Sequence, residues 1–300
     1  MCDKEEKVTI CTLQEYLNIL DKLKKEDTTN RTRPNPTASS FLYRGMSGAE
    51  LSLCPGFFRK KKDEPSGNET DLYSYTTEKE MLRAFRREAM AYVKEILPSN
   101  HIAWYELAQH HGVPTRFLDW TSNPLAALYF ACVSNNGKNA AIWGLHEKNY
   151  GIKTQGVPSK ETVEEKIVKE LEGVNCFEFP LIYVPYYRDL RMSAQSSVFM
   201  VWGSNHEHLE KMFGSESHMK YDTKKEEFQS VATDQNTPFL FKVEVDSQSK
   251  LSLIRQLDEI GINKKTLFPG LDGIGQYLES KYRIEDSREI EEQIWGTMKK

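Results

Sequence analysis

The sequence predicts an α+β fold with a mixed or antiparallel β core flanked by helices. Two observations carry this. Helical and extended segments follow one another without the regular strand–helix–strand alternation of a parallel sheet. The segments Cys176–Val184, Ser197–Trp202 and Phe239–Val245 are rich in aromatic and β-branched residues, while others, such as residues 78–97, repeat apolar side chains at helical spacing.

Taken in order, Thr12 opens a helix with Leu13, Tyr16, Leu17, Leu20 and Leu23 on one face. A polar linker, Asp27–Pro36, ends it. Phe41–Arg44 reads as a short strand closed by Gly45, Leu51–Phe58 as irregular because of Pro55 and Gly56, and Lys60–Asn68 as a solvated loop. Glu78–Leu97 is the strongest helical pattern, stopped by Pro98. Trp104–His111 is a shorter helix with Gly112 placed as its left-handed cap. Asn123 reads as an N-cap and Pro124 as the first position of a helix that is apolar all round and therefore buried. Ala140–Leu145 is a strand and Ser159–Leu171 an amphipathic helix. Phe239–Val245 alternates and reads as a half-exposed strand. Leu251–Ile260, closed by Gly261, and Leu271–Tyr282 are helices. This divides the chain into an N-terminal helix and linker (1–37), an α+β domain (38–282) and a polar tail with helical character (283–300).

The 300 residues are 39% hydrophobic and 28% charged, a globular composition. Mean hydropathy is -0.61, and no apolar run reaches the length of a bilayer span, so no membrane partner is expected. The opening MCDKEEKVTI carries no signal-peptide core, and the five cysteines show no CxxC. Both point to a reducing cytoplasm. With a net charge of -4 there is no overall basic footprint for nucleic acid, although Arg83, Arg86 and Arg87 cluster with Lys94.

Residues 109–131, QHHGVPTRFLDWTSNPLAALYFA, concentrate polar and aromatic side chains in what reads as a loop between two helices. His110 and His111 are adjacent and cannot share one metal on a helix, and no metal-ligand spacing occurs, so no metal cofactor is expected. Nucleotide-loop glycine motifs and the GxSxG hydrolase motif are missing. What remains is a set of separated polar residues. Arg44, followed by Gly45, suits a bidentate grip on phosphate with close backbone approach; on spacing alone a surface or salt-bridging arginine is the plainer reading. Asp119 is an acid, an orienting partner for Arg44 or Arg116, or a cap partner. Gln195 can hold a sugar hydroxyl but cannot act as a base.

Three blocks together carry a resemblance. Tyr43-Arg44-Gly45, residues 107–131, and Arg191-Met-Ser-Ala-Gln195 with Val198-Phe199 resemble the FRG-domain family, named for a Phe-Arg-Gly tripeptide in which Tyr43 here replaces Phe. The resemblance extends over about residues 38–280. The order of elements is similar to ADP-ribosyltransferase-type NAD-binding folds. That resemblance implies NAD as a substrate and a pyrophosphate grip by Arg44 and Gly45. It also implies Thr121 and Tyr129 at a middle strand-to-helix turn, a nicotinamide contact from Tyr129 or Trp120, and Gln195 where many transferases carry Glu. Asp119 then supplies the missing negative charge and His110 an acid/base partner. The implied function is an NAD-consuming transferase or glycohydrolase, a toxin or phage-defence effector with a protein or nucleic-acid acceptor. The alternatives are a non-catalytic nucleotide- or protein-binding module and a metal-independent nuclease using His110 with Arg116.

Overall fold

The computed structural model describes residues 8–26, 41–62, 68–74, 76–93, 99–134, 137–154, 161–187, 189–214, 217–222, 227–229 and 239–283. The strands are β1 (Thr9–Ile10), β2 (Phe41–Met46), β3 (Lys60–Lys62), β4 (Glu69–Asp71), β5 (Phe117–Thr121), β6 (Ala140–His146), β7 (Leu181–Tyr183), β8 (Ser197–Val201), β9 (Lys220–Asp222), β10 (Glu227–Gln229) and β11 (Leu240–Val245). The helices are α1 (Leu13–Glu26), α2 (Thr77–Ala89), α3 (His101–His110), α4 (Pro124–Cys132), α5 (Glu147–Thr154), α6 (Val163–Glu172), α7 (Leu190–Ala194), α8 (Leu209–Met212), α9 (Lys250–Glu259), α10 (Lys264–Leu267) and α11 (Leu271–Tyr282).

A 7-stranded sheet in the order β1-β11-β6-β2-β5-β8-β7 forms the centre. Only the β1–β11 pair is parallel; the other neighbours are antiparallel. One face carries two separate helix layers. Tyr16, Leu20 and Leu23 of α1, the whole of α4, and Leu253 and Leu257 of α9 pack on Phe41, Tyr43, Ile142 and Phe241. Ile102 and Tyr105 of α3 and Ile167 and Leu171 of α6 pack on Phe117, Phe199 and Val201. The opposite face is covered by Leu53, Phe57, Phe58, Leu209 and Phe213. Among the described residues no helix is long and apolar enough to cross a membrane.

The local signals explain the helix ends. Asn123 Oδ1 accepts the N–H groups of Leu125 and Ala126, at 3.0 and 3.3 Å, with Pro124 next in the helix. Gly112 (φ 83°) and Gly261 (φ 85°) follow α3 and α9 in the left-handed region.

Several expectations are corrected. Residues 117–121 form an interior strand, not part of a loop. β2 runs on through Gly45 to Met46. Cys176–Val184 contributes only the edge strand Leu181–Tyr183, just after Pro180. β11 is covered on both faces and is not half-exposed. α2 ends at Ala89, and residues 94–97 of the expected helix lie outside the described residues, as do Asp27–Pro36 and the tail beyond Arg283. Residues 8–26 are no separate unit: β1 extends the sheet and α1 enters its core.

Gly45 lines the cavity described below and also has a packing role. A Cβ there would overlap the Ala127 carbonyl oxygen and lie 2.7 Å from the Ala131 nitrogen, both backbone atoms of α4. Gly45→Ala therefore forces α4 off the sheet. We expect a loss of about 3 kcal/mol in urea unfolding, because overpacking against rigid backbone cannot relax by side-chain rotation.

Candidate functional site

β2 and β5 are sheet neighbours, yet they pair only at Tyr43↔Thr121. Beyond that point Arg44–Met46 continues along β6 and Phe117–Trp120 along β8, so the sheet splits. A cavity of about 480 Å³ is lined by both diverging strands. Its size falls within the roughly 300–1,000 Å³ of small-molecule sites. α4 contributes Phe130 to the wall, α3 contributes Glu106, Gln109 and His110, and α7 contributes Arg191 and Met192. Gln195 and Phe199 line it as well. The cavity thus sits in the split itself, with the two helix layers of one sheet face on one side and Met46 and Trp120 from the opposite face on the other.

The Arg44 guanidinium spans the split and donates through Nη1 to the backbone carbonyl of Asp119. The same nitrogen is 3.9 Å from Asp119 Oδ2. Burial, reinforced by Arg59, lowers the Arg44 pKa against the opposing pull of Asp119. The Arg44 side chain is 16% exposed and that of Asp119 57%, so the carboxylate is within reach of a ligand. Gln109 orients it: Nε2 donates to Asp119 Oδ2 at 2.9 Å, while Oε1 accepts from Thr115 Oγ1 at 2.6 Å.

Gln195 follows α7 and lines the cavity. Its Nε2 donates to the Leu267 carbonyl at 2.9 Å, which leaves Oε1 as its acceptor for a ligand. His110 stands at the C-terminal end of α3, with Nδ1 3.3 Å from Asp189 Oδ2. Trp120 is buried on the wall, and its indole N–H has no hydrogen-bond partner among the described residues.

The structure therefore brings Arg44, Asp119, Gln195, His110, Trp120 and Thr121 to one cavity. Thr121 is committed elsewhere: its hydroxyl donates to the Gln195 carbonyl at 2.6 Å and accepts the Asn123 N–H at 2.9 Å, joining the residue after α7 to the entry of α4. Tyr129 is not part of the cavity. It faces a separate pocket with Asp258 and Tyr277, where burial pushes its hydroxyl up to about 12. The next residue, Phe130, takes the cavity position, as the roughly 100° step of a helix requires. Arg116 is also excluded. It is 3% exposed and held by Glu78 and Glu170, so it cannot partner His110 in cleavage of a nucleic acid.

Sequence reasoning missed Gln109, Arg59 and Arg191 as cavity residues. Arg191 and Gln195 are four apart, a helical spacing that places both on one face. Neither Arg59 nor Arg191 has an acidic partner among the described residues. Lys250 was missed as well. It is fully buried, and Nζ donates to the carbonyls of Ser47 (3.0 Å) and Ser134 (3.2 Å), both on the cavity wall. Burial lowers its pKa. No sequence period marks such a lysine. Among the described residues no group of His, Cys, Asp and Glu could hold a metal ion.

No curated protein matches the chain, and no solved structure does. Residues 39–140, from β2 to the first residue of β6, match the FRG domain; they include Arg44, His110 and Asp119 but not Arg191 or Gln195.

Proposed function

We propose that the split-sheet cavity binds NAD and that the protein is an NAD-consuming, ADP-ribosyltransferase-like enzyme. The observation that carries this reading is the convergence of Arg44, Asp119 and Gln195, from β2, β5 and the turn before β8, on one cavity. Arginines suit the pyrophosphate, because a guanidinium fork matches phosphate oxygens. Arg44 is engaged by Asp119, so Arg59 and Arg191 share that grip. Trp120 packs on the nicotinamide from the wall, and Gln195 Oε1 accepts from a ribose hydroxyl.

Cleavage of the nicotinamide–ribose bond sends its electron pair to the nicotinamide nitrogen and leaves oxocarbenium charge on C1′. Gln195 is neutral and cannot offset that charge. The exposed Asp119 carboxylate, fixed by Gln109, can. The acceptor proposed is a protein or a nucleic acid, and the role proposed is that of a toxin or phage-defence effector.

The test is nicotinamide release from labelled NAD by the purified protein. Release by the wild type that falls at least tenfold in Arg44→Ala supports the reading. NAD binding by calorimetry without release favours a non-catalytic nucleotide-binding module, which the neutral Gln195 would suit. Neither binding nor release overturns both.

A further inference from the structure

His110 stands where two spaces meet. The cavity and an adjoining groove of about 730 Å³ share two lining residues, His110 and Arg191. The groove continues past Asp189 of the α7 cap to Lys264, Phe268 and Leu271. One space therefore leads to the dinucleotide and the other to solvent, with an imidazole between them.

That imidazole is held from one side. Its Nδ1 is 3.3 Å from Asp189 Oδ2. The other oxygen, Asp189 Oδ1, accepts the Met192 N–H at 2.8 Å as the N-cap of α7. A carboxylate anchored by a helix start thus stands at ion-pair distance from the ring, and Nε2 makes no hydrogen bond among the described residues. A His–carboxylate pair with one free nitrogen is an arrangement suited to proton transfer. The charged and titratable groups around His110 are Asp189 and Arg191 at α7, His111 beside it, and Asp119 on β5. Burial lowers its pKa, Arg191 and His111 act in the same direction, and the two aspartates oppose them. The lowered pKa favours the neutral ring, whose Nε2 can take a proton when Nδ1 carries the hydrogen.

We propose that His110, positioned by Asp189, is the general base that deprotonates an acceptor entering through the groove. This rests on the reading of the cavity as an NAD site. It also names the acceptor class. A carboxylate acceptor needs no base, so a base at the junction fits a nucleophile that carries a proton, a hydroxyl or an N–H. In the step, the C1′–N1 bond breaks and its electron pair neutralises the nicotinamide. The acceptor's electron pair forms the new bond to C1′, and its proton passes to His110 Nε2, giving an imidazolium beside the Asp189 carboxylate.

Water is itself such an acceptor, so the test uses NAD hydrolysis by the full chain, followed as nicotinamide release across pH. Asp189→Asn keeps the α7 cap, since asparagine caps as well as aspartate, but removes the charge. Its rate should fall about 10²–10⁴-fold. The acid limb of the profile should move to lower pH, because an imidazolium without its carboxylate loses its proton more easily. His110→Gln should lose rate similarly and recover it with sodium azide, a nucleophile with no proton to remove. Wild-type-like rates and pH profiles in both variants, or a slow His110→Gln that azide does not rescue, overturn the proposal while the NAD site stands. A wild-type protein that releases no nicotinamide overturns the NAD-consuming reading and this proposal with it.

Discussion

Arg116→Met should be among the most destabilising single substitutions in the protein, lowering stability by about 3–5 kcal/mol in urea or guanidinium unfolding. The Arg116 backbone N–H donates to Glu78 Oε1 at 2.8 Å and its Nε to Glu78 Oε2 at 2.9 Å. Its Nη1 is 3.3 Å from Glu170 Oε1. The three side chains are nearly sealed from solvent, at 4%, 2% and 1% exposure. Burial works against the Arg116 charge, but Glu78 and Glu170 outweigh it and raise its pKa. Deleting the cation leaves two carboxylates facing each other in the core, the most expensive arrangement available there. The triad also binds α2 and α6 to the residue just before β5, the strand that carries Asp119. A triple replacement by apolar side chains of similar volume should recover most of the lost stability, because no charge is then left buried alone. Loss of less than about 1 kcal/mol in Arg116→Met would show that the triad does not hold these elements together.

Asp119→Asn should do the opposite: remove activity and spare the fold. With its side chain more than half exposed, the carboxylate contributes little to stability, and asparagine can still accept from Gln109. What it loses is the negative charge opposite the developing ribose cation. Nicotinamide release should drop about 10²–10³-fold, with thermal melting close to wild type. Unchanged turnover would place the charge stabilisation elsewhere in the cavity, with Glu106 the next acidic residue on its wall.

The contrast between these two residues shows how far the sequence could be read. Both stand in the same polar block, and both had been candidates for chemistry. The spacing around Asn123-Pro124 and Gly112 marks helix ends, because capping is local and depends on few residues. The strand between them was hidden. Phe117, Leu118, Trp120 and Thr121 are buried on both sheet faces, so the alternation that marks a half-exposed strand is missing, and Asp119 in their midst reads as a loop residue. β11 was misread for a related reason: Lys242 and Glu244 suggest a solvent face, but Lys242 lies over Trp143, donates to the Ala49 carbonyl and pairs with Glu244 there.

The site was legible one residue at a time. Arg44, Asp119, His110 and Gln195 stand out because each is polar beside an apolar run. Their meeting depends on the strand order β2-β5-β8 and on a split after one residue pair, neither of which is written in local pattern. Long-range packing sets the surroundings of Gly45, Thr121 and Tyr129: a helix backbone against Gly45 and a carbonyl against Thr121, which both line the cavity, and a second pocket around Tyr129, which does not. The resemblance to the FRG family, read over about residues 38–280, is matched over residues 39–140, where Arg44 and the central block lie.

The most direct measurement is a crystal structure of the protein with NAD, using Asp119→Asn to slow turnover. Density for the dinucleotide should lie in the β2–β5 split, with the pyrophosphate against the cavity arginines and the nicotinamide ribose between residue 119 and Gln195. NAD bound elsewhere on the surface, or a cavity that stays empty at saturating NAD, would contradict the assignment of this split as the reaction centre.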